Sequence, residues 1–434
     1  MKHKKLFVTL TALCAVLVFL GTFLLIWFVG DGYPDFKDFR QEFAIEGLDD
    51  GAVPQGITAF YGTYQDGVDQ NTGRPINKNQ QYFLTSAYMD DGSPSRIYVR
   101  GTVTGYIGYV TMLNPEGQPV TSHVGGIATN AAKLWLTDGD TILVAKTSNS
   151  NEYDNVLKEI VAKAALNSEL AEGEELHTIQ FKTSFKANCN AAYLYYYHDP
   201  RYSTTSYDRL YVGEFYRKGN YETPASHRLV TPSGYKNTSF MYEYRVDSSS
   251  SNDYGLYLID SNNTGKNISK NVPKVQKIYS LPEMIQGVAF SGRETYGTTS
   301  GMMVLSQSYG LTNSHLLCFD WSKVNAKSDK YTNVSGGVSF EYDGVYTVSS
   351  SGASQTPYTD NGLLVYYVDK ADSVMFVADY SIPSMSEGMC NITLSGQSNP
   401  TQKRIYVLFE SASKKYGKFT RENIKNVYSF VPNI

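Results

Sequence analysis

Hydrophobic positions in this chain come in short bursts between polar punctuation, after one long unbroken run at the start. From about residue 40, bursts of four to seven residues rich in Tyr, Val, Ile and Leu are bounded by Gly, Asn, Asp and Ser. Gln81–Ser86, Arg96–Val99, Lys133–Leu136, Ala192–Tyr197, Arg209–Phe215, Met302–Ser306, Leu363–Val368 and Arg404–Phe409 are examples. Runs of this length and composition predict β-strands. Only Asn155–Leu170 carries the spacing of an amphipathic helix, which predicts a helical insertion near residues 152–172 of an otherwise all-β domain. The opening run is different: Leu6–Val29 covers 24 residues without a charge. At about 1.5 Å per residue, a helix of that length crosses a hydrocarbon core about 30 Å thick. It exceeds the apolar region of a signal peptide, and Ile26-Trp27-Phe28-Val29 offers no small-residue cleavage site. Positive-inside bias places the basic residues 1–5 in the cytoplasm. The expected organisation is a stub (1–5), a transmembrane signal anchor (6–29), a linker (30–42) and an extracytoplasmic domain (43–434) of a single-pass cell-membrane protein.

Self-comparison exposes a repeat. Tyr279-Ser280-Leu281-Pro282-Glu283-Met284-Ile285-Gln286-Gly287-Val288 aligns without a gap to Tyr380-Ser381-Ile382-Pro383-Ser384-Met385-Ser386-Glu387-Gly388-Met389, 101 residues later. Related steps occur at Gln55-Gly56-Ile57, Gly125-Gly126-Ile127, Asn188-Cys189-Asn190 and Gly336-Gly337-Val338, which gives six in chain order. Six units over roughly 390 residues leave about 65 each, enough for a four-stranded antiparallel sheet with its loops. The expected architecture is a six-bladed β-propeller, with seven blades as the alternative. Tyr428–Pro432 copies the run that precedes a repeat, and Phe43–Leu48 stands before the first one. The two ends of the chain are therefore expected to meet at one seam.

Composition adds limits. Charged residues are 18% and aromatic residues 14%, with 36 Tyr, which argues against a disordered chain. Formal charge is -4 overall and about -7 beyond the basic start, so no uniformly basic nucleic-acid surface is expected. Four Cys, one inside the apolar run, make no disulfide framework. No G-x-S-x-G, H-E-x-x-H, P-loop or G-x-G-x-x-G helix opening is present. Innermost propeller strands line the channel, and Gly suits their close approach at the axis. Gln55, Asn188, Asn190, Gln286 and Glu387 are then expected near one channel mouth, with His123 close by as the one His that invites a catalytic reading. Their oxygens suit a hard cation such as Ca²⁺. Alternatively they bond only inter-blade backbone and channel water. Loop-borne Tyr would form a carbohydrate- or peptide-binding face, while Tyr193, Tyr195, Tyr196 and Tyr197 pack between blades.

The E-G-apolar step at Glu387-Gly388, set in six such units, resembles the calcium-dependent six-bladed propellers: the gluconolactonase/senescence-marker, paraoxonase-like and strictosidine-synthase-like families. That resemblance implies a metal held by Glu387 with Asn188 or Asn190 and with Gln55 or Gln286. It departs from those families in lacking an inner-strand Asp to serve as base. Two functions follow as expectations. The first is a membrane-anchored extracytoplasmic binding or surface-interaction module for a carbohydrate, peptide or envelope protein. The second is a metal-dependent lactonase or arylesterase-like hydrolase with His123 as base. A basic start with an uncleaved anchor and unpaired Cys fits the surface of a Gram-positive bacterium.

Overall fold

The computed structural model describes residues 33–432 apart from position 34 and the segments 69–74, 148–152, 154, 188, 199–207, 248–251, 259–272, 296–297, 327, 331–338, 343–345, 350–363 and 393–403. The apolar run 6–29 lies outside the described residues, among which no helix is long and apolar enough to cross a membrane. Among the described residues the short apolar bursts pair into five larger sheets, each built on four antiparallel strands, and two separate two-stranded hairpins. Blade one runs outward through Ala52–Val68, Pro75–Met89, Arg96–Gly101 and Gly105–Leu113. Blade two uses Ile127–Thr129, Lys133–Asp138, Thr141–Lys146 and Thr183–Lys186. Blade three uses Ala191–Tyr197, Arg209–Glu214, Ser239–Arg245 and Val275–Leu281. Blade four uses Ile285–Phe290, Met302–Gln307, Ser314–Asp320 and Phe376–Ile382. Blade five takes Ser386–Asn391, Ile405–Phe409 and Asn426–Phe430 from the end of the chain and Arg40–Ala44 from its beginning. Each innermost strand touches those of the two neighbouring blades, and the ring closes. The fold is a five-bladed β-propeller.

The expected six blades, and the seven-bladed alternative, are therefore corrected to five. Two observations explain the difference. The Tyr279 and Tyr380 runs mark successive blade junctions, three-to-four and four-to-five. They stand 101 residues apart because blade four carries a long excursion between its third and fourth strands. Within that excursion, Leu364–Tyr367 pairs in parallel with Val275–Leu281 and widens blade three instead of building a blade of its own. The Gly336-Gly337 step belongs to the same excursion and lies outside the described residues.

The glycine steps have a steric cause. A Cβ on Gly388 would lie 3.0 Å from Gln55 O and Gly56 Cα, and one on Gly56 would lie 3.0 Å from Ile127 N. A Cβ on Gly126 would strike the backbone of Tyr193 and Leu194. Inner strands of adjacent blades thus meet backbone to backbone around the axis. Gly126→Ala is expected to destabilise the fold by about 1–3 kcal/mol, since the atoms it strikes are main chain and cannot rotate away. A chemical denaturation midpoint that does not move would refute the close-approach account.

Packing between blades absorbs the tyrosines. Tyr193, Tyr195 and Tyr197 alternate with Leu194 along one strand and are buried on its face toward blade four. Tyr196, on the opposite face, stacks on Trp135 and donates to Asp208 at 2.7 Å. Helix Val156–Glu169, capped by the Asn155 side chain accepting from Lys158 N at 2.9 Å, buries Val156, Leu157, Ile160, Val161 and Ala164 in the core of blades one and two. Gly108, at φ 157°, lies where a Cβ would strike the Ala164 carbonyl, so this helix packs directly on sheet backbone.

Candidate functional site at the channel mouth

Four of the five innermost strands shift register at equivalent places: Pro54/Gly56, Ala191/Tyr193, Ile285/Gly287 and Ser386/Met389. The extra residues are Gln55, Ala192, Gln286, and Glu387 with Gly388. A bulge leaves its residue out of the ladder and re-aims the side chain. Gln55, Ala192, Gln286 and Glu387 accordingly line one cavity of about 410 Å³. The chain enters three of the innermost strands through non-glycine residues at positive φ: Val124 at 45°, Met284 at 60° and Met385 at 63°. Such backbone is strained, most of all for a β-branched Val, and persists where the surroundings fix it. Here hydrogen bonds from Ser308 N to Met284 O (2.9 Å) and from Glu410 N to Met385 O (3.0 Å) fix two of them.

The floor of the cavity is an acid pair. Glu387, 5% exposed, hydrogen-bonds to Glu410, which follows directly after strand Ile405–Phe409. Gln55 Nε2 donates to Glu410 Oε2 at 2.8 Å. Burial raises the Glu387 carboxyl well above the usual range, and the charge and hydrogen bond of Glu410 raise it further. Burial also pushes Glu410 up to about 7, against the opposing pull of Gln55, Lys415 and Glu387. Two carboxyls in contact cannot both ionise cheaply, so the pair retains a proton through neutral pH.

Aromatic rings form the walls. Tyr88 is buried beside the acids, 3.3 Å from Tyr416 through the two hydroxyls, and accepts from Lys415 Nζ at 2.9 Å. His123 stacks on Tyr88 with centroids 4.3 Å apart. Loss of solvent on the stacked face and the Lys415 ammonium both lower the His123 pKa, which leaves the ring neutral at pH 7. Across the mouth, Phe215, Tyr221 and Tyr309 complete the rim. The protein's own cations already cover several ring faces: Lys415 stands 4.8 Å over Tyr88 and 5.2 Å over Tyr416, and Arg217 stands 3.7 Å over Tyr309.

Of the residues expected at the mouth, Gln55, Gln286, Glu387, Asn190 and His123 all line this cavity, and Asn188 lies outside the described residues. The donors do not fit a calcium cage as they stand. Gln55 turns its amide nitrogen, not its oxygen, toward Glu410, and the two acids bond each other. Among the described residues no three His, Cys, Asp or Glu side chains converge as ligands. Glu410, Tyr88, Tyr416 and Tyr309 were not among the expected residues. The signal for Glu410 was present, since an acidic residue ends the apolar run Arg404–Phe409 at the point where Ser308 ends Met302–Gln307. Three other His residues pair with acids, His227 with Glu214, His198 with Asp208 and His315 with Asp379, while His177 is held through its backbone by Asn167.

No family model matches this sequence, and no curated protein matches it either. Among solved structures, a GH43_1 enzyme from Xanthomonas citri aligns over 89% of this chain and 93% of its own, at 10% identity and a TM-score of 0.33. That likeness carries no functional argument. The resemblance to the six-bladed calcium-dependent group reduces to the propeller architecture, because the blade count differs and no family model supports it. Fold and site together define a five-bladed β-propeller with an acid-floored, tyrosine-walled channel mouth.

Proposed function

We propose that this protein is a membrane-anchored, extracytoplasmic binding module that takes a neutral, hydroxyl-rich ligand of the carbohydrate class at its channel mouth. One observation carries the reading: a proton-sharing carboxyl pair and the Gln55 and Gln286 amides floor a cavity whose walls are Tyr and His rings. The pair and the amides supply both donors and acceptors, which suits hydroxyl groups. Rings supply large, rigid contact area at low entropic cost. A cationic ligand is disfavoured because Lys415 and Arg217 already stand over the rings. An anionic one is disfavoured by the acids.

The hydrolase reading is weaker on the same geometry. Glycoside hydrolysis by paired acids needs carboxyls about 5 Å or more apart, flanking the bond to be cut. Here they hydrogen-bond to each other. A lactonase-type reaction through Glu387 would need a metal that the donor set does not fit. The anchor reading rests on the 24-residue uncharged run alone.

Calorimetric titration of the full-length chain, in a detergent without sugar groups, with a panel of neutral mono- and oligosaccharides tests the proposal. Binding to at least one member is expected. Gln55→Ala, which removes a floor amide and its bond to Glu410, is expected to weaken that binding at least tenfold, or about 1.4 kcal/mol. Absence of binding across the panel would overturn the reading, and turnover of an ester or lactone abolished by Glu387→Gln would replace it with the hydrolase.

A further inference from the structure

The channel mouth has a neighbour. A second cavity of about 300 Å³ opens between the second and third strands of blade four, lined by Met284, Gln307, Thr312, Asn313 and His315. It shares two residues, Ser308 and Tyr309, with the wall of the channel-mouth cavity. Ser308 is buried and tied on both sides, through its N–H to Met284 O (2.9 Å) and through its hydroxyl to Ser314 Oγ (2.8 Å). Tyr309 is clamped from blade three by Arg217 over its ring and by Phe215, whose ring lies 6.1 Å away and nearly parallel. The partition between the two cavities is therefore a fixed ring edge.

The second cavity is polar in a particular way. Gln307 uses its amide nitrogen on Glu283 O (2.8 Å), and Asn313 uses its own on Ser381 Oγ (3.1 Å). Both side chains thereby keep an amide oxygen as an acceptor. His315 is oriented through Nδ1 by Asp379 at 2.7 Å, so Nε2 is its remaining polar atom. Acceptors fixed by neighbours, beside an aromatic edge, suit the hydroxyls of a further sugar unit. Each cavity is at the small-molecule scale.

Resting on the carbohydrate reading above, we propose that the ligand is a chain of at least two units. One unit occupies the acid-floored mouth and the next crosses Tyr309 into the blade-four cavity, where Gln307, Asn313 and His315 bind it. A covalently linked second unit binds at high effective concentration, so affinity rises by a large factor with no change at the first site.

The test is titration of the full-length chain with one-, two-, three- and four-unit members of whichever neutral sugar series binds. Affinity is expected to rise at least tenfold from one unit to two. Asn313→Ala and His315→Ala, both outside the mouth, are each expected to remove most of that gain and leave single-unit affinity unchanged. Equal affinity for one and two units, or a gain that survives both substitutions, overturns the two-cavity proposal and leaves the binding-module reading intact. Failure of every series to bind overturns both.

Discussion

Deleting residues 36–44 from the full chain should abolish cooperative unfolding and leave a protein that limited proteolysis degrades within the time wild type survives. This segment holds most of a short 3-10 helix, Asp35–Asp38, and the outermost strand of blade five, Arg40–Ala44, which pairs across the seam as Arg40↔Ser429, Gln41↔Tyr428, Phe43↔Val427 and Ala44↔Asn426. Its rings are anchors. Phe39 stacks on Phe430 with centroids 4.6 Å apart, Phe36 lies 4.4 Å from Tyr428, and Phe43 packs 4.5 Å from Phe83 in blade one. Truncating one buried Phe removes about 3–5 kcal/mol, against a total stability of about 5–15 kcal/mol for a typical domain. Losing three rings and a strand's hydrogen bonds exceeds that margin, and it exposes the edge of Asn426–Phe430. Phe39→Ala alone should lower the denaturation midpoint clearly. Arg40→Ala removes an exposed guanidinium 3.5 Å from Glu42, which keeps Arg404 and Ser429 as partners, and should leave the midpoint nearly unchanged. A deletion variant that melts like wild type would mean that the ring does not depend on this seam.

That seam was legible in the sequence because both of its partners carry the same local pattern, an apolar aromatic run next to a repeat step. The inner-strand residues were legible for a related reason. Gln-Gly and Glu-Gly steps record a steric rule, no Cβ where two backbones meet, and a bulge beside that Gly points the preceding side chain into the mouth. Blade number was not legible. Counting assumes that every repeat step opens a unit of its own, and the Gly336-Gly337 step instead falls in an excursion of blade four whose Leu364–Tyr367 adds to blade three in parallel, a long-range pairing that no local pattern specifies. The site was readable only in half. Glu387 announces itself by its repeat and Glu410 by ending an apolar run, but Tyr88 lies near the end of the second strand of blade one and Tyr416 in the turns after the second strand of blade five, and register around the ring brings them together where the sequence spacing does not.

Wild-type stability is expected to fall as pH rises from 5 to 8, and Glu387→Gln should remove much of that fall. The sign follows from proton counting. An unfolded Glu releases its proton near pH 4.5, whereas burial keeps Glu387 protonated well above that and holds Glu410 up to about 7. Between those limits the native state binds more protons than the unfolded one, so unfolding becomes easier as pH rises, by about 1.4 kcal/mol per pH unit for each such group. The stabilisation is complete below pH 4.5 and is lost upward. A neutral amide at 387 does not titrate, so the variant should match wild type near pH 5 and become the more stable of the two toward pH 8. Thermal melts of both proteins across that range decide the matter. Parallel pH profiles would mean that the acids ionise freely and share no proton. The same proton count bears on binding. A pair that donates hydrogen bonds when fully protonated becomes an acceptor carrying one charge above about pH 7, so hydroxyl recognition at this floor should change its donor pattern over the range in which stability falls.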